Sequence, residues 1–490
     1  MKKIIIVIFS LVFLSNNVVA NDKYLNEFNK WLLDNGHTQY VNIEHKAGCK
    51  KLIQKHGLKV PKVGLFDEPK VKTNEWFWLE CHKPQTTNNL KIKFFKSSEI
   101  PWGTNPNKDT LLYYLFRYIV TENGFDRAGS KGSKNPYKFK TELRDDKISK
   151  YIKKHMQKTA LLSYLLYEDG KITIDEISPK NRFGILFDNN TQFTSMSVGK
   201  SIVSYVTGHA ICKGYINGVD HRLNDWPLLE NTLFYDQKLI NLLNMAAGHQ
   251  KYADKDLKTN KYRKNANANT VEFHLQKGVF KDSKKVKSKY QYTNFITNLL
   301  INYVWFKSEG QFQNLLDEIF IDKAKVKNDV WFLKMNDRTI KSNNRNNKIL
   351  KEYKVRDEDG PLRYSFRASR YDYLRIAKAM LDDWQNDTCV GKYLKNIHER
   401  RIPKNDKWKD DKSPGLNPKS YAGQFYADYS GMRGRNIMGM VGKGGQSIMI
   451  DFDKGRINVI NTCLLYTSPS PRDQRGSRVP ASGVKKKGGG

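Results

Sequence analysis

Long apolar runs are scarce in this chain of 490 residues. Beyond the N-terminal segment no stretch of about 18 apolar residues occurs, which excludes a membrane-spanning helix from the body of the sequence. Cysteine is scarce too, with five in all, and no two form a C-x-x-C pair; none of the ten histidines lies in H-E-x-x-H. The common zinc patterns are therefore missing. No serine has the G-x-S-x-G surroundings of an α/β-hydrolase elbow. Gly199-Lys200-Ser201 ends like a phosphate-binding loop, but Thr194 stands where the first glycine of that motif belongs. Neither a metal nor an organic cofactor is expected.

Acidic residues are also short, 50 against 85 Lys and Arg, for a formal net charge of +35. Residues 463–490 carry six of those cations and one carboxylate, and residues 1–20 carry two lysines, which leaves +28. Such an excess would fit an anionic partner, nucleic acid or a cell envelope. An AT-rich codon bias, which inflates Lys, Asn and Ile together, explains it better because the lysines are scattered. No nucleic-acid partner is expected, and association with the cell envelope stays open.

The chain opens with Met1-Lys2-Lys3, an apolar run from Ile4 to Leu14, and the small residues Val18-Val19-Ala20. This is the pattern of a secretory signal peptide over residues 1–20, so an exported, periplasmic or secreted protein is expected. At the far end Cys463 to Asp473 reads CLLYTSPSPRD, resembling the translation of a transposon-type sequencing adapter. Residues 463–490 are set apart from the fold, and a native C-terminal element beyond 462 is expected to be missing. Of the cysteines outside that tail, Cys49 and Cys81 share a region; export permits a disulfide there but does not decide one.

The stretch Ser195 to Tyr215 concentrates the chemistry. Ser197-Val198-Gly199-Lys200 is an S-x-x-K at the start of an apolar helix pattern formed by Val198, Ile202, Tyr205, Val206 and Ala210. Residues three apart on a helix are neighbours, so the spacing lets the Lys200 amine reach the Ser197 hydroxyl. A serine becomes nucleophilic when a base takes its proton. Before residue 463, Ser197 is the only serine with lysine three places on.

Residues 21–140 carry helical patterns at Tyr24 to Leu33 and Leu111 to Val120, and a Trp76-Phe77-Trp78 cluster read as core rather than as a ligand platform. Arg127 to Pro136 reads as a linker. This region is an accessory N-terminal domain without recognisable chemistry. From Asp146 a helix pattern runs to Gln157, and Leu161 to Tyr167 and Lys171 to Ile177 form a hairpin around Glu168-Asp169-Gly170. A second hairpin joins Gln446 to Asp451 with Arg456 to Thr462. Between them lie helical patterns at Ser201 to Lys213, Leu239 to Ala247, Phe295 to Tyr303 and Tyr371 to Trp384. The expected fold is α+β: an antiparallel sheet built from both ends of the domain 141–462, with flanking helices and an inserted all-helical lobe.

Segments in this domain resemble the serine β-lactamase and penicillin-binding superfamily, in its class C-like branch of β-lactamases, D-alanyl-D-alanine carboxypeptidases, β-lactamase-like esterases and nylon-oligomer hydrolases. The segments are SMSVGKS at 195, Gly214-Tyr215-Ile216 with Asp220 to Leu223, Leu242 to Gly248, Arg367 to Asp372, and Gly442 to Gln446. The resemblance implies a serine hydrolase acting on an ester or amide of a small molecule or peptide, with Ser197, Lys200 and Tyr292 catalytic. Tyr292-Thr293-Asn294 matches the family's Y-x-N, where Tyr292 shuttles the serine proton and Asn294 orients the substrate amide. A phenol titrates near 10, so the role of base would need cations, Lys200 and Lys443, to stabilise a phenolate. Lys443-Gly444-Gly445 matches K-T-G, and the backbone N–H groups of Ser197 and Gln446 would form the oxyanion hole. Asn244 and Ala247 depart from the family's His and Ser in a structural turn. Gly444 replaces a hydroxyl residue, which predicts a preference for small esters or amides over β-lactams. The alternatives are a D-Ala-D-Ala carboxypeptidase or β-lactamase and, from another class, a non-hydrolytic binder of peptidoglycan peptides.

Overall fold

The two hairpins read from the sequence lie side by side in one sheet of the computed structural model. The structure describes residues 126–159, 161–179, 188–248, 289–334, 362–404, 418–432, 434–442 and 445–462, with the backbone of two paired antiparallel strands, β1 (Glu75–Trp78) and β2 (Lys93–Lys96). The signal-like segment, both helical patterns of 21–140, Cys49, Cys81, Lys443, Gly444 and the tail from 463 lie outside the described residues.

Next in the chain come β3 (Asp126–Ser130), β4 (Lys140–Thr141), α1 (Lys147–Lys158), β5 (Leu161–Glu168), β6 (Lys171–Ile177), β7 (Gln192–Thr194) and α2 (Val198–Cys212). The lobe follows with α3 (Leu239–Leu243), α4 (Asn294–Lys307) and α5 (Phe312–Asp317). The remainder is β8 (Val330–Lys334), β9 (Leu362–Ser369), α6 (Arg370–Gln385), α7 (Cys389–Glu399), β10 (Ile402–Pro403), β11 (Pro418–Ala422), β12 (Phe425–Tyr429), β13 (Ile437–Gly442), β14 (Gln446–Asp451) and β15 (Arg456–Thr462). The helix α1 starts after Asp146, whose carboxylate accepts from the N–H groups of Ile148 and Ser149, both at 2.9 Å. Its Ile152 and Met156 pack on Leu161, Tyr164 and Leu166 of β5.

The main sheet has nine strands in the order β10-β11-β12-β13-β14-β15-β5-β6-β4, antiparallel except that β4 runs parallel to β6. Its two halves join where β15 pairs β5, Ile457 opposite Tyr167 and Ile460 opposite Tyr164, so an antiparallel sheet does form from both ends of the domain. A second sheet, β3-β8-β9-β7, has no counterpart in the sequence reading. It corrects the linker expected at 127–136: β3 pairs β8 along its whole length, and the N–H groups of Ser133 and Tyr137 donate to Val326 and Lys325 carbonyls at 2.7 and 3.0 Å. A Cβ on Gly129 would stand 2.0 Å from the Val330 carbonyl, so the glycines that looked like linker punctuation permit close strand approach. The packed unit therefore includes residues before 141.

Every residue of α2 from Val198 to Ala210 is buried, because α4, β9, α7 and β13 surround it. A helix enclosed on all sides needs no polar face, which is why its apolar periodicity is only partial. Beside it, the Ser369-Arg370-Tyr371-Asp372 stretch stitches the sheets together. Buried Arg370 donates to Ser163 Oγ at 2.7 Å and Asn189 Oδ1 at 2.8 Å, and pairs with Asp175 at 2.6 Å. Buried Asp372 accepts from Lys327 N at 2.6 Å, Asn328 Nδ2 at 2.9 Å and Arg375 Nη1 at 2.8 Å. A disulfide joins Cys212, at the end of α2, to Cys389, the first residue of α7, with Cα atoms 5.8 Å apart. No helix of the described residues is long and apolar enough to cross a membrane.

Candidate active site

The N-terminal end of α2 is tied to β9 before it becomes a helix. Ser195 N–H donates to the Phe366 carbonyl at 2.7 Å, and Ser195 Oγ accepts from Phe366 N at 2.8 Å. Met196 then turns through the left-handed region, with φ of 48°. A non-glycine residue rarely rests there unless its surroundings hold it. Ser197 follows as the N-cap with helical backbone angles and no capping bond from its side chain. Its half-buried hydroxyl is thus not used by the helix that it opens.

Gly199 is the small residue that this junction requires. A Cβ there would lie 2.0 Å from the Tyr364 carbonyl and 2.6 Å from Ser195 Oγ. One residue on, Lys200 is only 1% exposed, and its Nζ donates to Asn294 Oδ1 at 2.6 Å. Nζ also lies 3.4 Å from the centroid of the Tyr364 ring and 5.1 Å from that of Tyr292. Burial drives the Lys200 ammonium well below the ordinary lysine range. Asn294 and the Tyr364 face oppose that effect, since both favour the charged form.

Tyr292 sits in the extended segment before α4. Its ring meets Tyr421 edge to face with centroids 6.2 Å apart, and its phenol lies near the Ser197 side chain. Burial, with Tyr426 and Tyr364 beside it, raises the Tyr292 pKa well above that of a free phenol, and the neighbouring Ser197 only partly offsets this. Burial thus favours the neutral phenol; of the two cations expected to support a phenolate, Lys200 stands beside the ring and Lys443 lies outside the described residues. The Asn294 side-chain oxygen accepts from Lys200, which ties the start of α4 to α2.

On the opposite wall, β13 ends against the same turn. A Cβ on Gly442 would stand 2.7 Å from the Ser195 carbonyl, 2.9 Å from Met196 Cβ and 3.1 Å from Ser197 N. Glycine keeps the approach to that N–H open. Gly445 donates its N–H to the Gly442 carbonyl at 3.1 Å, and Gln446 pairs across from Gly442. The Gln446 side chain turns away to β15, donating to the Thr462 carbonyl and accepting from Asn461 Nδ2 at 3.2 Å. Gly442 brings the end of β13 against the Ser195–Ser197 turn, so β13 borders the site.

The structure thus brings Ser197, Lys200, Tyr292 and Asn294 together, with Gly445 and Gln446 in the adjoining hairpin. Sequence reasoning missed Tyr364, Tyr421 and Tyr426, and named Gly442 only as the first residue of the segment Gly442 to Gln446, without a role. A signal existed only for Gly442, a glycine closing the apolar run Ile437 to Val441. The turn at 242–248 is structural, as read: Asn244 donates to the Arg400 carbonyl at 2.9 Å and accepts from Gly423 N at 2.7 Å. Among the described residues no group of three or more His, Cys, Asp or Glu is placed to hold a metal ion.

No protein-family model matches the chain, and no curated protein matches it in sequence. Solved structures do match. A Bacillus anthracis protein assigned as a 6-aminohexanoate-dimer hydrolase aligns with a TM-score of 0.50 at 12% identity, over 75% of this chain and 92% of its own. A Bacteroides dorei protein assigned as a β-lactamase aligns at 0.45 and 12%, over 64% and 89%. FmtA from Staphylococcus aureus aligns at 0.42 and 14%, over 73% and 92%. The fold is β-lactamase-like, an α+β arrangement that aligns with the Bacillus anthracis structure over most of both chains.

Proposed function

We propose that this chain is an exported serine hydrolase of the class C-like branch, cleaving an ester or amide bond through an acyl-enzyme on Ser197. The observation that carries the reading is the Ser197 hydroxyl, not used to cap its helix, half-buried, near a buried phenol and one helical turn from a buried lysine. Burial favours the uncharged form of both Lys200 and Tyr292. A resting pair of amine and phenol suits proton relay: Tyr292 takes the Ser197 proton as it passes its own on, and the Lys200 amine is the group basic enough to keep it. The same phenol then returns a proton to the leaving group. The Ser197 N–H, left accessible by Gly442, is one donor to the developing oxyanion. A disulfide joining Cys212 and Cys389 agrees with an oxidising, exported setting.

Labelling of the intact protein with a fluorophosphonate and with a fluorescent penicillin, followed by mass spectrometry, tests the reading. Ser197 is expected to carry the fluorophosphonate, the penicillin to label more weakly, and Ser197→Ala to lose both labels while melting at the wild-type temperature. A label on another serine removes Ser197 from the mechanism. Reversible binding of peptidoglycan peptides without any label would favour the non-hydrolytic reading.

A further inference from the structure

Lys200 is buried at the centre of the site, and what surrounds it is aromatic. Its own helix offers Ser197. The segment leading into α4 brings Tyr290, Tyr292 and Asn294, β9 brings Tyr364, and the β11–β12 hairpin brings Tyr421 and Tyr426 beside Tyr292. No carboxylate is among these groups, and burial drives the Lys200 ammonium below the ordinary lysine range. The direct partners of Nζ are the Asn294 oxygen at 2.6 Å and the Tyr364 ring face at 3.4 Å.

The ring is held in place from two directions. Tyr364 N–H donates to Asn298 Oδ1 of α4 at 3.0 Å, and the Tyr364 carbonyl occupies the space that a Cβ on Gly199 would need. The backbone carrying the ring is therefore packed on the residue before Lys200. A tyrosine face attracts an ammonium through its quadrupole, with an effect that grows once water is excluded. A buried carboxylate in its place would hold the lysine charged far above neutral pH and remove it as a base. A ring stabilises the charge by less.

We propose that Tyr364 is a positioning residue for the proton acceptor: its ring face takes the place of a counter-ion for Lys200 and sets the pH at which that lysine becomes a free amine. This rests on the serine-hydrolase reading given above. The sign follows from the chemistry. Loss of the face destabilises the ammonium, so the lysine deprotonates at lower pH and the acid limb of the acylation rate moves down.

The test is the pH dependence of fluorophosphonate acylation of the full chain, which needs no knowledge of the natural substrate. Tyr364→Phe keeps the face and is expected to keep the wild-type limb. Tyr364→Leu is expected to move it down by about one to one and a half pH units. Pentafluorophenylalanine at 364 preserves the ring's shape while reversing its quadrupole, and is expected to give a shift in the same direction with an unchanged melting temperature. Limbs that stay put or move up in both the leucine and the fluorinated variants overturn the proposal, because the ring would then serve only to exclude water. A wild-type chain that does not label at any pH overturns the hydrolase reading itself, and this proposal with it.

Discussion

The two ends of α2 treat buried polar groups in opposite ways. From its middle to its C-terminal end the helix is paired: Tyr205 donates to Asp383 Oδ2 at 2.6 Å, and Thr388 and Lys323 both meet Asp383 Oδ1 at 2.7 Å. Ser204 and Tyr393 share a hydrogen bond of 2.8 Å, and the Cys212–Cys389 disulfide closes the assembly. The buried carboxylate there has a cation and two hydroxyls. At the N-terminal end Lys200 is equally buried, yet it has an amide oxygen and ring faces in place of a carboxylate. Paired charges hold elements in register, whereas a buried charge without a counter-ion costs stability and persists where its perturbed proton affinity is useful. One helix thus has a structural end and a chemical end.

Substitutions can break this contrast, beginning with the largest effect. Lys200→Met is expected to slow fluorophosphonate acylation by about 10² to 10⁴, the usual cost of losing a general base, while leaving the urea midpoint unchanged or higher. Equal losses of rate and stability would make Lys200 a structural residue like Asp383. Next is the disulfide, which closes a loop of 177 residues. The double change Cys212→Ser with Cys389→Ser is expected to cost about 2 to 4 kcal/mol in chemical denaturation and to leave the acylation rate per folded molecule intact.

Asp383→Asn removes the charge opposite Lys323, whose side chain is 35% exposed. Partial solvation of that partner limits the expected loss to about 2 to 3 kcal/mol, again without a change in acylation rate. The smallest effect concerns His209, also at the structural end. Burial lowers its pKa to about 4, against 6.5 for the free side chain. Between those values the unfolded chain binds a proton that the folded chain does not, so stability falls as pH drops through this window. A loss of about 2 kcal/mol between pH 7 and 4.5 is expected from this residue, and His209→Phe should flatten that part of the denaturation profile.

Much of the domain was legible because its signals are local. The hairpin at 161–177 and the pair of strands from 446 to 462 have turns and alternation within a few residues, and both occur where they were read. Asp146, Thr293 and Ser369 cap helices whose starts were placed within a residue or two. The second sheet was illegible for the converse reason. Its strands at 126, 192, 330 and 362 are far apart in sequence, three of them have five residues or fewer, and Gly129 of β3 looks like part of a loop until Val330 packs on it. The cysteines show the same limit: shared neighbourhood singled out Cys49 and Cys81 without deciding a bond, and both lie outside the described residues, while the bond in the described structure spans 177 residues.

By itself the sequence determined the Ser197–Lys200 spacing, the order of the motifs and the α+β plan, because each depends on periodicity and capping over a few neighbouring residues. Only the tertiary structure decided what Lys200 faces, since Asn294 lies 94 residues away and Tyr364 arrives on a different strand. It also decided that Gly442 borders the nucleophile and that Tyr292 is buried, which favours its neutral form. Proton affinity depends on the water and charges that remain around a group after packing, and spacing along the chain does not specify them.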